Sequence, residues 1–171
     1  LSVIEALAPV PARHNILVLH AGMAALPDYA EMRPGSQTLT RSLVPRDRFD
    51  AIFSGHFHGY RTIPDLRWTF IGSPERLSST EAGQRKGYLI YDTESGRTRL
   101  HAITTRPWYV VERVDARTWD GVRLLAELRA LRAGMPDWNE ALVWATFEHL
   151  RPDVYAALDV AAIRAIRASC F

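Results

Sequence analysis

The sequence has almost no cysteine, almost no lysine and no long apolar run. Its one cysteine, Cys170, stands next to the C-terminus, which excludes a disulfide framework and a cysteine-based metal centre. No apolar stretch approaches the roughly 18–20 residues that a membrane-spanning helix needs. The N-terminus lacks the basic-then-apolar pattern of a signal peptide. These absences lead us to expect a cytoplasmic protein with no membrane partner. Of 21 basic residues only Lys86 is a lysine. Arginine's planar fork suits phosphate oxygens, but an arginine- and alanine-rich composition also follows from codon usage. With a net charge of +2, charge alone does not argue for nucleic acid. There are no internal repeats and no low-complexity segments.

What is present is ordinary globular material: 47% hydrophobic and 23% charged residues in 171, enough for one domain or for one domain with a small appendage. The chain begins at Leu1 rather than Met, and Leu1 to Leu7 reads as the end of something already under way, so a fragment or processed product is expected.

Short β-branched runs dominate the first part. Asn15 to His20 (NILVLH) reads as a buried strand with His20 at its carboxyl end, where the chain turns through Ala21-Gly22. Pro27 to Pro45, rich in Pro, Gly, Ser and Thr, reads as a long surface loop. Phe49 to Ser54 (FDAIFS) is a second buried strand, and it ends on Gly55-His56-Phe57-His58. Trp68 to Ile71 is a third, running into the turn signal Gly72-Ser73-Pro74. Gly87 to Asp92 and Arg97 to Thr104 flank Ser95-Gly96 and look like a hairpin.

After Arg106-Pro107 the pattern changes. Trp108 to Val114 is one more strand. Trp119 to Ala133 carries Val122, Leu124, Leu125, Leu128 and Leu131 at helical spacing, ended by Gly134 and Pro136. Ala141 to Phe147 is read as a strand. Asp153 to Ala168 is read as one amphipathic helix with Val154, Leu158, Ala161, Ala162 and Ile166 on its stripe. A boundary is placed near residue 105, giving domains 1–104 and 105–171.

The chemistry centres on histidine. Two histidines separated by one residue, just beyond a glycine at a strand end, can turn both rings toward one spot outside the sheet edge. Neutral imidazole is a good ligand for zinc, manganese, iron and nickel. His20 joins them if its strand neighbours theirs, since ligand sites in α/β proteins favour the carboxyl ends of strands. The bland alternative for any histidine is a hydrogen-bonded core or rim residue. His14, His101 and His149 stay under that reading.

The order strand, His20-Ala21-Gly22, strand, Gly55-His56-Phe57-His58, strand, Gly72-Ser73 resembles the C-terminal half of calcineurin-like metallophosphoesterases. Phe70 to Asp92, through Gly72-Ser73, Glu75-Arg76, Glu81 and Lys86-Gly87, is similar to the segment after the second histidine motif in SbcD-type DNA double-strand-break-repair nucleases. Arg106-Pro107 is similar to the start of that group's DNA-binding cap. The resemblance covers residues 14–114 well and thins beyond.

It implies an α/β fold: the second half of a β-sandwich flanked by helices, plus a small, truncated α+β cap. It also implies metal ligands, with His20 and His56 on one ion and His58 on the other, manganese being the usual pair. Two ions roughly 3.5–4 Å apart polarise a phosphodiester and activate a water. The implied partners are DNA, an SbcC-like ATPase and a second copy of the full-length protein. Arg61, Ser73, Arg76 and Lys86 are the implied contacts to DNA backbone, against the plain alternative of solvated surface charge. Trp108, Trp119, Trp138 and Trp144 are read first as core, with stacking on bases as the alternative.

The sequence also departs from the family. An upstream Asp-x-His, a Gly-Asp with a bridging aspartate and a Gly-Asn-His are all missing, so no catalytic residue is assigned within this chain. Three imidazoles without a bridging carboxylate do not offset the repulsion between two divalent cations. The chain alone is therefore expected to bind metal weakly and to hydrolyse nothing, as part of a DNA exonuclease or endonuclease. The other readings are a metallophosphoesterase acting on nucleotides or phosphoproteins, and a non-enzymatic module with a degenerate metal site.

Overall fold

The computed structural model describes residues 6–24 and 38–167. Cys170 and residues 27–37 of the Pro-rich stretch lie outside the described residues. Helices and strands are mixed, as an α/β protein requires. The chain divides into two units: Leu1–Arg76 with Gln84–Thr105, and Leu77–Gly83 with Arg106–Phe171. No sequence signal marks Leu77–Gly83 as grouping with the later part of the chain.

In the first unit the strands are β1 (Ile16–Leu19), β2 (Gly22–Met23), β3 (Thr38–Leu39), β4 (Ala51–Ser54), β5 (Arg61–Ile63), β6 (Trp68–Phe70), β7 (Gly87–Asp92) and β8 (Arg97–Ala102). One four-stranded sheet runs β1-β4-β6-β5, with β1, β4 and β6 parallel and β5 antiparallel at the edge. Pleating sorts the side chains by register. The row Leu17, Ile52 and Trp68 and the row Leu19, Ser54 and Phe70 face the core; Ile52, Ser54 and Phe70 are fully buried there with Met23. The alternate pair Val18 and Phe53 faces the other way, and Val18 is 70% exposed. At the foot of the sheet Asp50 accepts from the Asn15 amide at 2.7 Å, and its own amide donates to the Asn15 carbonyl at 2.8 Å. That exchange fixes the β1–β4 register one residue before the ladder begins.

β7 and β8 form the expected antiparallel hairpin. Its turn is held by the Asp92 carboxylate, which accepts from the Glu94 and Ser95 amides and the Ser95 hydroxyl. Gly96 there takes φ +67°, which glycine adopts without a Cβ penalty.

The described end of the Pro-rich stretch corrects the surface-loop expectation. Thr38–Leu39 pairs in parallel with Gly22–Met23, and Leu39 and Val44 are buried in the core. A two-residue strand is too short to show periodicity, so composition alone misread it. β5 was missed because Arg61-Thr62-Ile63 has a single apolar residue, whereas β6, equally short, shows two aromatics.

In the second unit β9 (Trp108–Asp115) pairs in parallel with β10 (Leu142–Glu148), and the helix Gly121–Gly134 connects them. Asp120 caps that helix by accepting from the Arg123 amide at 2.8 Å. Ala116, Trp119 and Leu124 form a small core with Leu128, Phe147 and Leu158 against it. Val122, placed on the apolar face by spacing, is 79% exposed. The single helix expected over 153–168 is two: Pro152–Ala156 and Val160–Arg167. Asp159 accepts from the Ala162 amide at 2.9 Å and starts the second helix as a cap. The break still leaves Val154 and Ile166 buried, so the stripe survives without a continuous helix.

Candidate functional site

Leu19 pairs with Ser54, so the residues after them, His20 and Gly55, leave the sheet side by side. The ladder runs one bond further, from the Gly55 amide to the Leu19 carbonyl at 3.0 Å. Here the sequence must be glycine for a reason of space. A Cβ on residue 55 would lie 2.7 Å from Nδ1 of His20, closer than side-chain carbons pack. His56 then turns back with φ +79°, a left-handed conformation that costs a non-glycine residue about 1–3 kcal/mol. The result is an edge-to-face pair, with the His20 and His56 rings 5.4 Å apart at 85°. His20 is exposed and His56 half-buried, so a ligand from solvent can reach both.

Ser54 holds this arrangement from below, though nothing in the sequence reading singled it out. Fully buried, its hydroxyl donates to the Ala21 carbonyl at 2.7 Å and accepts from the Ala21 amide at 3.2 Å. That locks the residue after His20 onto the end of β4. A lone serine at a strand end carries no pattern, so only register reveals it.

His58 is fastened through its backbone. Its carbonyl accepts from the Ser73 amide at 3.1 Å and from the Lys86 ammonium at 3.0 Å. Lys86 is 2% exposed and also donates to Ser73 Oγ and Gln84 Oε1. Gly72, with φ +76°, brings this turn so close that a Cβ would lie 3.2 Å from both the His58 carbonyl oxygen and the Tyr60 nitrogen. The segment that carried the family resemblance is therefore built around the histidine loop. Arg76 donates to Thr105 Oγ1 and to the Gln84 carbonyl, inside the same unit. Glu81, 4% exposed, accepts from the Leu77 amide and the Ser78 hydroxyl in the second unit.

Of the residues assigned to DNA backbone, Lys86 and Ser73 are thus buried and Arg76 is half-buried and engaged. Their hydrogen bonds organise the His58 turn. Arg61, at the start of β5, lines an open cleft. Among the tryptophans, Trp119 and Trp138 are buried, whereas Trp144 is 57% exposed.

The structure brings His20 and His56 together. Among the described residues, no group of three or more His, Cys, Asp or Glu is gathered, so His58 does not complete a three-residue cluster with them. The donor chemistry fits one side of a metal's shell: two imidazoles, accessible and held by strand register, which no carboxylate among the described residues joins in a group of three. No described helix is long and apolar enough to cross a membrane. Compared with known protein families and with curated proteins, the sequence matches none.

Proposed function

We propose that this chain supplies the histidine side of a two-metal phosphodiesterase centre in a DNA-processing nuclease, as the second half of a calcineurin-like sandwich. The observation that carries the reading is the paired exit of His20 and His56 from adjacent parallel strands, with Gly55 kept free of a Cβ and His56 held at positive φ. Strain of this kind persists where surrounding structure over-determines it, and such positions cluster at active sites. His20 and His56 would hold one divalent ion, manganese by family resemblance, and His58 the second. Bound there, the ions would supply electrophilic activation of a phosphodiester and an acidified water. The chain's own residues set the imidazoles in place: Ser54 through Ala21, Lys86 and Ser73 through the His58 carbonyl. Two cations also need carboxylates, and among the described residues none joins His20 and His56 in a group of three.

The likeness of the Gly72-Ser73 to Lys86-Gly87 segment and of Arg106-Pro107 to DNA-repair nucleases favours DNA over a small phosphoester. An SbcC-like ATPase and a second copy of the complete protein are the proposed partners, in the cytoplasm. In the complete gene product, manganese-dependent degradation of linear duplex DNA is expected, abolished by H56A and by H58A. Hydrolysis of a chromogenic phosphodiester with no action on DNA would replace this reading with a small-substrate phosphoesterase.

A further inference from the structure

The histidine loop borders a second feature that the metal reading does not use. Between Gly59–Arg61, the Gln84-Arg85 segment and β8 lies an open cleft of about 710 Å³, within the first unit. Phe57, between the two histidines of the loop, forms part of its wall. Three guanidinium groups line it: Arg61 from β5, Arg85 from the segment before β7, and Arg99 from β8. No aspartate or glutamate is among its described lining residues. Some exposed arginines outside the cleft stand beside carboxylates, as Arg13 does with Glu94 and Arg151 with Asp153, while others among the described residues, Arg97 and Arg129 included, do not. What sets the cleft apart is three guanidinium groups around one space. Arg85 and Arg99 are exposed and make no ion pair among the described residues. Like charges gathered in a concave, low-dielectric wall raise the local concentration of counter-ions.

The remaining walls narrow the ligand. Tyr60 is 36% exposed and Phe57 half-buried, so two aromatic rings border the same space. The volume falls in the roughly 300–1,000 Å³ range of small-ligand sites. Guanidinium forks match phosphate oxygens in pairs, and aromatic faces stack on bases.

We propose that this cleft binds adjacent nucleotide phosphates, with Arg61, Arg85 and Arg99 on the phosphates and Tyr60 or Phe57 against a base. The ligand is either a free nucleoside triphosphate or successive nucleotides of a single strand, which present the same chemistry. The inference goes beyond the metal centre and does not require it.

The test is metal-free binding by the full chain, in chelator, of three probes: inorganic triphosphate, a purine nucleoside triphosphate and a short single-stranded DNA. R85A and R99A should each weaken binding about tenfold, the loss of one charge-assisted contact. The control is R97A, an exposed arginine two residues away on the same strand but outside the cleft. It removes the same charge and should change affinity less than about twofold. Tighter binding of the single strand than of either triphosphate, weakened by Y60A, assigns the cleft to a strand. Tighter binding of the nucleoside triphosphate assigns it to a free nucleotide. Equal losses in R97A and R99A, or no binding of any probe, would overturn the proposal. Because chelator is present throughout, failure of the metal reading leaves this result unaffected.

Discussion

His56 carries two burdens at once, a left-handed backbone and a ring beside His20. The backbone burden is separable by substitution. H56G and H56A both delete the imidazole, but only glycine also relieves the conformation. H56G should therefore be more stable than H56A by about 1 kcal/mol, read as a shift in urea midpoint. Equal midpoints would mean that φ at this residue stores no strain. Ser54 offers a second residue-level test. S54A leaves the Ala21 amide and carbonyl buried without their hydroxyl partner, and should cost about 1–3 kcal/mol in denaturant unfolding. The sequence made His56 visible because Gly-His-x-His is a pattern, whereas Ser54 was invisible because its role exists only once β1 and β4 are in register. Lys86 shows the opposite error. The resemblance implied a contact to DNA backbone, or else a solvated surface charge, yet Lys86 is enclosed and fastens the His58 turn.

At the scale of elements, strands set in apolar runs announced themselves and those without such a run did not. β1, β4, β6 and the β7–β8 hairpin follow from apolar runs bounded by glycine and polar residues. β3 and β5 have two and three residues, so their strand character comes from the neighbours they pair with. The helical stripe of 153–168 was legible, but the competing preference of Asp159 to cap a new helix was not. The β7–β8 turn has a pH dependence of known sign. Hydrogen bonds from the Ser95 hydroxyl and the Ser95 and Glu94 amides hold the Asp92 carboxyl below its ordinary value of 3.8. A folded pKa lower than the unfolded one contributes stability that is fully present above the unfolded value and is lost as pH falls through the folded value. D92N should therefore speed amide exchange in the hairpin at neutral pH, and the difference from the parent chain should shrink as pH drops below 3.8. A difference that stays constant into acid would mean that the carboxylate charge is not what holds the turn.

Across the whole molecule, two small cores are built separately, one under the four-stranded sheet and one between β9, β10 and their connecting helix. The first sheet is mostly parallel, an arrangement that in most proteins has both faces covered. Here Ile16, Val18 and Ile71 remain exposed on the face opposite the core, beside an apolar cavity of about 430 Å³ that Phe53, Leu89 and Tyr91 help to line. The histidine pair sits at the carboxyl end of that same half-covered sheet. The β7–β8 hairpin covers part of the face opposite the core, with the Phe53 and Tyr91 rings 5.4 Å apart.

Register, rather than chance proximity, brings His20 and His56 together, and the proposed metal binding rests on that pairing. Histidine-selective NMR of this chain during a manganese titration tests it directly, since broadening by the paramagnetic ion reports proximity even when affinity is low. The His20 and His56 ring signals should broaden together at the lowest manganese concentrations. Those of His14, His101 and His149 should stay sharp, and S54A should weaken the effect at His20. Uniform broadening of all six histidines, or none at His20 and His56, would contradict the claim.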